Sequence, residues 1–478
     1  MFLRIDYQST NFIRYFMAHT KAALGKDIQL ADSLSTFAST LNLTTQRVRE
    51  VLEEKGVQSQ RKRDFPAEFT FYFVLGLCLY RTDPYRDVVK NVVEELRHFC
   101  GDAICDVIPS SSAMSQARSR LGSEPFEVLY SESVRPTGSS GKPGVFYKGY
   151  RVMSIDGSTF KVPDEKGNIE YFGYSGTAKG QVGYPQLRFV ALAECATHVM
   201  MGAKMGPISV SEQELAKDVL NSADSSMLVL ADRGFVGYPM WQAAGKQGCK
   251  RLFRIKGNQV FPVKKVLPDG SFISEIYPDN KARRRAEKGE TVEGVERVRI
   301  IEFELQQKNG KSTKYRLKTD LLDDILAPAL DLVALYHRRW RIEVAIDELK
   351  THLCNNMVLR SKTPELVRQE FYAMLIVHGA IRRLMSEAAD TCSLAPEELS
   401  FVETVRILSR RLPRTVSFFP QDFNAWEKSL LAEIAQAKCR QSRGKRNPRG
   451  VKQKMSKFRV RSKCQPLNQT IEIKVKIV

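Results

Sequence analysis

The sequence predicts an α/β protein built around one mixed sheet, and three observations predict it. Strand-like segments follow one another over 149–162, 186–196 and 198–206, after which helix and strand patterns alternate through residue 256. Residues 227–231 (MLVLA) form a continuous apolar run, the mark of a strand buried on both faces. Outside this stretch and a second cluster of short strands, the apolar spacing is helical.

The elements follow in order. Residues 1–134 read as a helical N-terminal region. Within it, 33–55 fits two short helices about a turn at Asn42, either a helix-turn-helix-like unit or a plain helical hairpin. A basic run, Arg61-Lys62-Arg63, precedes an apolar helix over 67–80 and an amphipathic one over 85–99. A Pro-Ser-Ser-Ser signal opens a helix over 111–121 that is expected to expose Arg118 and Arg120. The Pro, Gly and Ser of 135–144 mark a loop. Residues 145–362 form the core, interrupted at 258–318 by a β insertion with strands at 261–267, 271–277, 298–305 and 314–319 and a charged loop over 281–293. One long helix is expected over 322–354. A C-terminal helical region, 363–437, and a basic tail, 438–478, complete the chain. Three antiparallel strands followed by alternating α and β are the order of a ribonuclease-H-like core.

A length of 478 residues implies two to four domains, and 43% hydrophobic residues are ample for buried cores. The net charge of +20 calls for a polyanionic partner, and residues 438–463 alone hold twelve Lys/Arg and no Asp or Glu. Nine scattered cysteines read as reduced thiols of a cytoplasmic protein. Cys195-x2-His198 and Cys100-x4-Cys105 lack a second ligand pair at zinc spacing. The N-terminus lacks the pattern of a signal peptide, and the longest apolar run, 69–80, is too short to cross a bilayer, so no membrane partner is expected.

The chemistry concentrates in 336–350. At 100° per residue Tyr336, Arg339, Glu343 and Lys350 fall within a sector of roughly 60°, beside an apolar stripe of Leu335, Ile342, Ile346, Leu349 and Leu353. Asp156 and Asp232 stand at the ends of apolar strands that neighbour each other in this fold, and a helix across the sheet edge can bring Glu343 to them. Three hard carboxylates suit Mg²⁺ or Mn²⁺, and two such ions about 3.5–4 Å apart serve phosphoryl transfer. Asp347 projects within about 40° of Glu343 and stays open as a rival ligand, whereas Glu348 points off the strip and reads as a solvated acid. Arg233 reads equally as a phosphate contact or an ion-pair partner, and Trp340 as a packing residue.

Tyr336-x2-Arg339-x3-Glu343-x6-Lys350 is similar, at every spacing, to the Y-R-E-K signature of the insertion-sequence-4 family of DDE transposases. Ser154-Ile-Asp-Gly157, Leu230-Ala-Asp-Arg-Gly-Phe235, MSQARSRLG and NPRGVKQKMSKF extend the likeness over about residues 60–460. The resemblance implies cut-and-paste DNA transposition, with Asp156, Asp232 and Glu343 as catalytic ligands of two Mg²⁺ ions and Mn²⁺ as a substitute. It implies that Tyr336, Arg339 and Lys350 hold phosphates, that the double-stranded DNA partners are terminal inverted repeats and target DNA, and that the protein acts as a homodimer in the bacterial cytoplasm, on the nucleoid when bound. Relatives using a hairpin intermediate can stack a flipped base on a tryptophan of the insertion. Here the insertion has none, leaving Phe261, Phe272, Tyr277, Phe303 and Tyr315 as aromatic faces. The rival readings are a catalytically silent DNA-binding derivative and a ribonuclease-H-like nuclease.

Overall fold

The structure is a computed structural model that describes residues 43–59, 66–90, 109–177, 180–307, 312–412, 423–439 and 473–477. Five strands make the core: β1 (Tyr150–Lys161), β2 (Gly180–Glu194), β3 (Met200–Pro207), β4 (Met227–Ala231) and β5 (Lys250–Arg254). Their order across the sheet is β3-β2-β1-β4-β5; β1, β2 and β3 pair antiparallel, while β1, β4 and β5 run parallel. This is the ribonuclease-H-like arrangement that the segment order predicts.

Alternation along β4 explains its apolar run. Met227, Val229 and Ala231 face α5 (Glu212–Leu220) and α6 (Tyr238–Lys246), while Leu228 and Leu230 face α7 (Ala329–His337). The sheet continues from β5 into the insertion through β8 (Ser312–Thr319), β7 (Glu296–Gln307) and β6 (Phe272–Ile276). Buried Arg299 of β7 donates to the Ala327 carbonyl at 2.6 Å and pairs with Asp269, whose carboxylate accepts the Ala329 N–H at 2.8 Å. The insertion thereby caps α7.

Several expectations are corrected. The helix expected over 322–354 is three pieces: α7, α8 (Trp340–Asp347) and a π-helical turn, Glu348–Leu353. Pro328 caps α7, and the residues before it form a turn held by Asp323, which accepts the N–H groups of Ile325 and Leu326 at 2.9 Å. The charged loop over 281–293 contains a helix, Asn280–Glu287, capped by Asp279; its one apolar face is only Ala282 and Ala286, too small a stripe to stand out in the sequence. In the insertion's first strand segment only Lys265–Val266 is a strand. The basic tail ends in β9 (Ile473–Ile477), an IKVKI alternation paired antiparallel with β7.

The N-terminal helices do not stand apart. These are α1 (Thr45–Glu54), α2 (Ala67–Leu79), α3 (Ser111–Leu121) and α4 (Glu124–Ser133). They share one apolar core with α8 and with α9 (Pro364–Thr391), and that core includes Phe160 and Phe189 of the sheet. Arg118, expected exposed, is buried, and its guanidinium donates to Gln369, Tyr85 and Ser361 at 2.7–2.9 Å. Residues 33–42, the Arg61-Lys62-Arg63 run, 91–99, Cys100 and most of the basic segment 438–463 lie outside the described residues. Beyond α9, the helices α10 (Phe401–Arg411) and α11 (Phe423–Gln436) close the C-terminal region. No helix among the described residues is long and apolar enough to cross a membrane.

Candidate active site

Parallel pairing of β1 with β4 ends at Ile155 opposite Ala231. The next residue on each strand is an aspartate, so Asp156 and Asp232 sit side by side on strands roughly 4.8 Å apart. Asp156 is not at a strand terminus as expected, because β1 runs on to Lys161 against β2. Its Oδ1 accepts the Gly157 N–H at 2.8 Å. Asp232 leaves the sheet and caps the short turn Arg233–Phe235, accepting the Gly234 N–H at 2.5 Å. A side chain at Gly234 would meet that same carboxylate, with a Cβ only 2.8 Å from Oδ1.

Glu343 arrives on the first turn of α8. Arg339, in the break between α7 and α8, is 5% exposed and bridges two of the acids: Nη1 lies 3.3 Å from Asp156 and Nη2 lies 2.9 Å from Glu343. Its Nε is buried on the Tyr336 side, with no acceptor in hydrogen-bonding geometry among the described residues. Tyr336 donates to the Ala231 carbonyl at 3.3 Å, directly before Asp232, and burial keeps its phenol protonated by raising its pKa well above the usual value. Lys350 donates to Ser158 Oγ at 2.8 Å, two residues beyond Asp156 on the same face of β1. Asp347 is engaged elsewhere, accepting from Thr351 at 2.5 Å and pairing with His352 at 3.4 Å. Trp340 is exposed instead of packed, with the Arg339 guanidinium 5.2 Å from its ring. Arg233 is exposed and lines a pocket beside Asp232.

The donor set suits a hard divalent cation: three carboxylates, with no thiolate or imidazole. Burial, reinforced by the neighbouring Asp232 and Glu343, pushes the Asp156 carboxyl up to about 6, which marks a cluster of acids short of positive charge. Arg339 supplies some of that charge, with one nitrogen on Asp156 and another on Glu343. As placed, the described residues contain no group of three acid, His or Cys side chains positioned to hold a metal ion.

The folded-state pKa of Asp156 lies above its ordinary 3.8, so the folded protein binds the proton more tightly and loses stability as pH rises from about 4 to 6. Asp156→Asn removes that cost. In chelator at pH 7.5 the variant should be more stable than wild type, by on the order of 1–3 kcal/mol, and the gap should close toward pH 4. Thermal melts at the two pH values check this.

Matches to known proteins agree with the geometry. A family model described as "Transposase DDE domain" matches residues 147–379, and one described as "Insertion element 4 transposase N-terminal" matches residues 31–131. The chain is 27% identical over 424 residues to the transposase InsG for insertion sequence element IS4 of Escherichia coli strain K12, covering 87% of this chain and 92% of that protein. The chain belongs to the insertion-sequence-4 family of DDE transposases. A second relative of the transposase, the putative transposase InsZ of the same organism, is 27% identical over 211 residues, 44% of this chain and 68% of that one. A solved piggyBac transposase synaptic complex with hairpin DNA covers 88% of each chain at 12% identity and a TM-score of 0.40, a likeness too loose to carry an argument. The transposase is thus an enzyme that cleaves and joins DNA, and DDE transposases work with divalent metal ions.

Sequence reasoning missed the residue that anchors the end of the Glu343 helix. Glu348 is 4% exposed, not solvated. Its carboxylate meets His198 Nδ1 at 3.0 Å, His378 Nε2 at 3.2 Å and Arg382 Nε at 2.8 Å. Burial opposes its ionisation, but Arg382 and the two histidines outweigh this and hold the carboxyl well below the usual range. The 100° wheel fails here because Glu348 opens the π turn and its partners come from α9 and the β2–β3 turn. A signal was present: His378 and Arg382 sit one turn apart, and His378 interrupts the apolar run from Phe371 to Ile381.

Proposed function

We propose that this transposase excises its element by metal-dependent cleavage at terminal inverted repeats and joins the freed 3′-hydroxyl to target DNA. Asp156, Asp232 and Glu343 are the catalytic acids and the ligands of two Mg²⁺ ions, with Mn²⁺ as a substitute. The observation that carries this reading is the juxtaposition of Asp156 and Asp232 at the end of the β1–β4 pairing, with Arg339 linking Asp156 to Glu343. Bound ions would lower the barrier by activating the attacking hydroxyl and stabilising the leaving oxygen.

The chain's own groups supply positioning. Tyr336, fixed beneath Asp232, keeps its proton and serves as a neutral donor. Arg339 stands where it can serve either the acids or a phosphate beside them. Lys350, tied to Ser158, marks where backbone phosphates of the element end would lie. The helices of 1–134 and the basic tail supply further contacts to duplex DNA, and two copies act on paired ends. Sedimentation of the protein–DNA complex checks the last point.

A labelled terminal repeat incubated with purified protein and Mg²⁺ should be nicked and then transferred. Binding without any nick or transfer would favour the silent DNA-binding alternative. Lys350→Ala should weaken end binding several-fold and reduce the slope of log affinity against log salt by about 1. An unchanged slope would remove Lys350 from the phosphate contacts.

A further inference from the structure

Four polar side chains meet in the core where the Glu343 helix ends. Glu348, His198, His378 and Arg382 are each at most 4% exposed. The partners of Glu348 come from two separate elements: His378 and Arg382 from α9, and His198 from the turn between β2 and β3. His198 reaches the cluster from a left-handed backbone, with φ at 63°, a conformation uncommon outside glycine that persists where the surroundings enforce it. The other ring nitrogens, Nε2 of His198 and Nδ1 of His378, are buried without a partner among the described residues. Both imidazoles therefore direct their polar contacts at this cluster alone.

Buried charge is a poor way to stabilise a core, since well-packed apolar residues in place of an ion pair are often neutral or better. Directional bonds do what apolar packing does not: they fix the rotation of a helix about its axis. What they fix here is the π turn. The Cys354 N–H donates to the Leu349 carbonyl, five residues back, at 3.2 Å, and such a turn carries each residue through a smaller angle than an α-helix does. Lys350 is thereby rotated toward the sheet from where seven α-helical residues past Glu343 would place it. From there its amine reaches Ser158 Oγ on β1 at 2.8 Å.

We propose that His198, His378 and Arg382, acting through Glu348, are positioning residues that hold the π register and so place the Lys350 amine against the DNA backbone. Buried as they are, none of the four can reach DNA itself. This rests on the assignment of Lys350 to a phosphate of the element end.

The test is a double-mutant cycle on end binding, measured in chelator with full-length protein and a terminal-repeat duplex. Glu348→Gln keeps the shape of the side chain. His198→Asn leaves the Glu348–Arg382 pair intact and suits the left-handed backbone. Each should weaken binding several-fold and reduce the slope of log affinity against log salt by about 1, as Lys350→Ala does. Added to Lys350→Ala, each should change affinity by less than about twofold. A cluster that only stabilised the fold would leave the slope of the folded protein alone. Amide exchange reads the turn directly: protection over 349–354 should fall about tenfold in both variants, with 227–231 unchanged. Should Glu348→Gln fail to fold, His198→Asn carries the test. A wild-type slope in folded His198→Asn, or losses that add in full to those of Lys350→Ala, would overturn the proposal. An unchanged slope in Lys350→Ala itself, with exchange still raised in the cluster variants, would instead fault the phosphate assignment on which the proposal rests.

Discussion

Glu348→Ala should lower the stability of this transposase by about 3–5 kcal/mol, among the largest effects open to a single substitution here. The truncation leaves the Arg382 guanidinium, 2% exposed, without its carboxylate, and strips His198 and His378 of their shared acceptor. The histidines cannot take over the charge, because burial lowers the pKa of both and takes that of His198 to about 4. Glu348→Gln keeps shape and two of the bonds but loses the charge, so it should cost less than alanine and more than a surface change. Chemical denaturation of both variants checks the ranking. Wild-type stability in Glu348→Ala would show that the cluster holds nothing in place. The functional consequence is local: Glu348 opens the turn that carries Lys350, so loosening it should blur the grip on the element end before it disturbs the sheet.

Asp232→Ala should reduce strand cleavage by at least about a thousandfold while leaving end binding within a few-fold of wild type. On the proposed assignment the substitution removes one of three hard ligands, and with it several kcal/mol of transition-state stabilisation. Binding should be spared, because a carboxylate assigned to metal makes no attractive contact with the DNA phosphates. Cleavage and gel-shift assays on one protein preparation separate the two effects, and a parallel loss of both would mean that Asp232 acts through the fold. That control matters because its carboxylate also caps the turn through Gly234.

The sheet was legible because its signals are local. MLVLA is buried on both faces, and the acids follow the strands that the topology makes neighbours. The spacing of Tyr336, Arg339, Glu343 and Lys350 was legible for the same reason. The wheel projection held only within α8. A break at Arg338–Arg339 and a π turn from Glu348 each rotate the helix face, and neither leaves a mark in apolar spacing. Burial set by distant elements was illegible too. Arg118 and Glu348 read as surface charges, because Gln369 and Arg382, which satisfy them, lie on a helix far along the chain. The pocket beside Asp232 escaped for that reason, since Arg233, Arg254 and Lys314 in its lining come from three separate segments. The Ile473–Ile477 strand, by contrast, was visible as alternation and was passed over for the charge of the tail.

The central claim is that Asp156, Asp232 and Glu343 act by holding metal. Its most direct test is cleavage of a labelled terminal repeat by Asp232→Cys in Mg²⁺ and in Mn²⁺. A thiolate is a poor ligand for the hard Mg²⁺ and a better one for the softer Mn²⁺. The account predicts no cleavage by the variant in Mg²⁺, recovery in Mn²⁺, and wild-type activity in both. Cleavage by the variant in Mg²⁺ at the wild-type rate would contradict it.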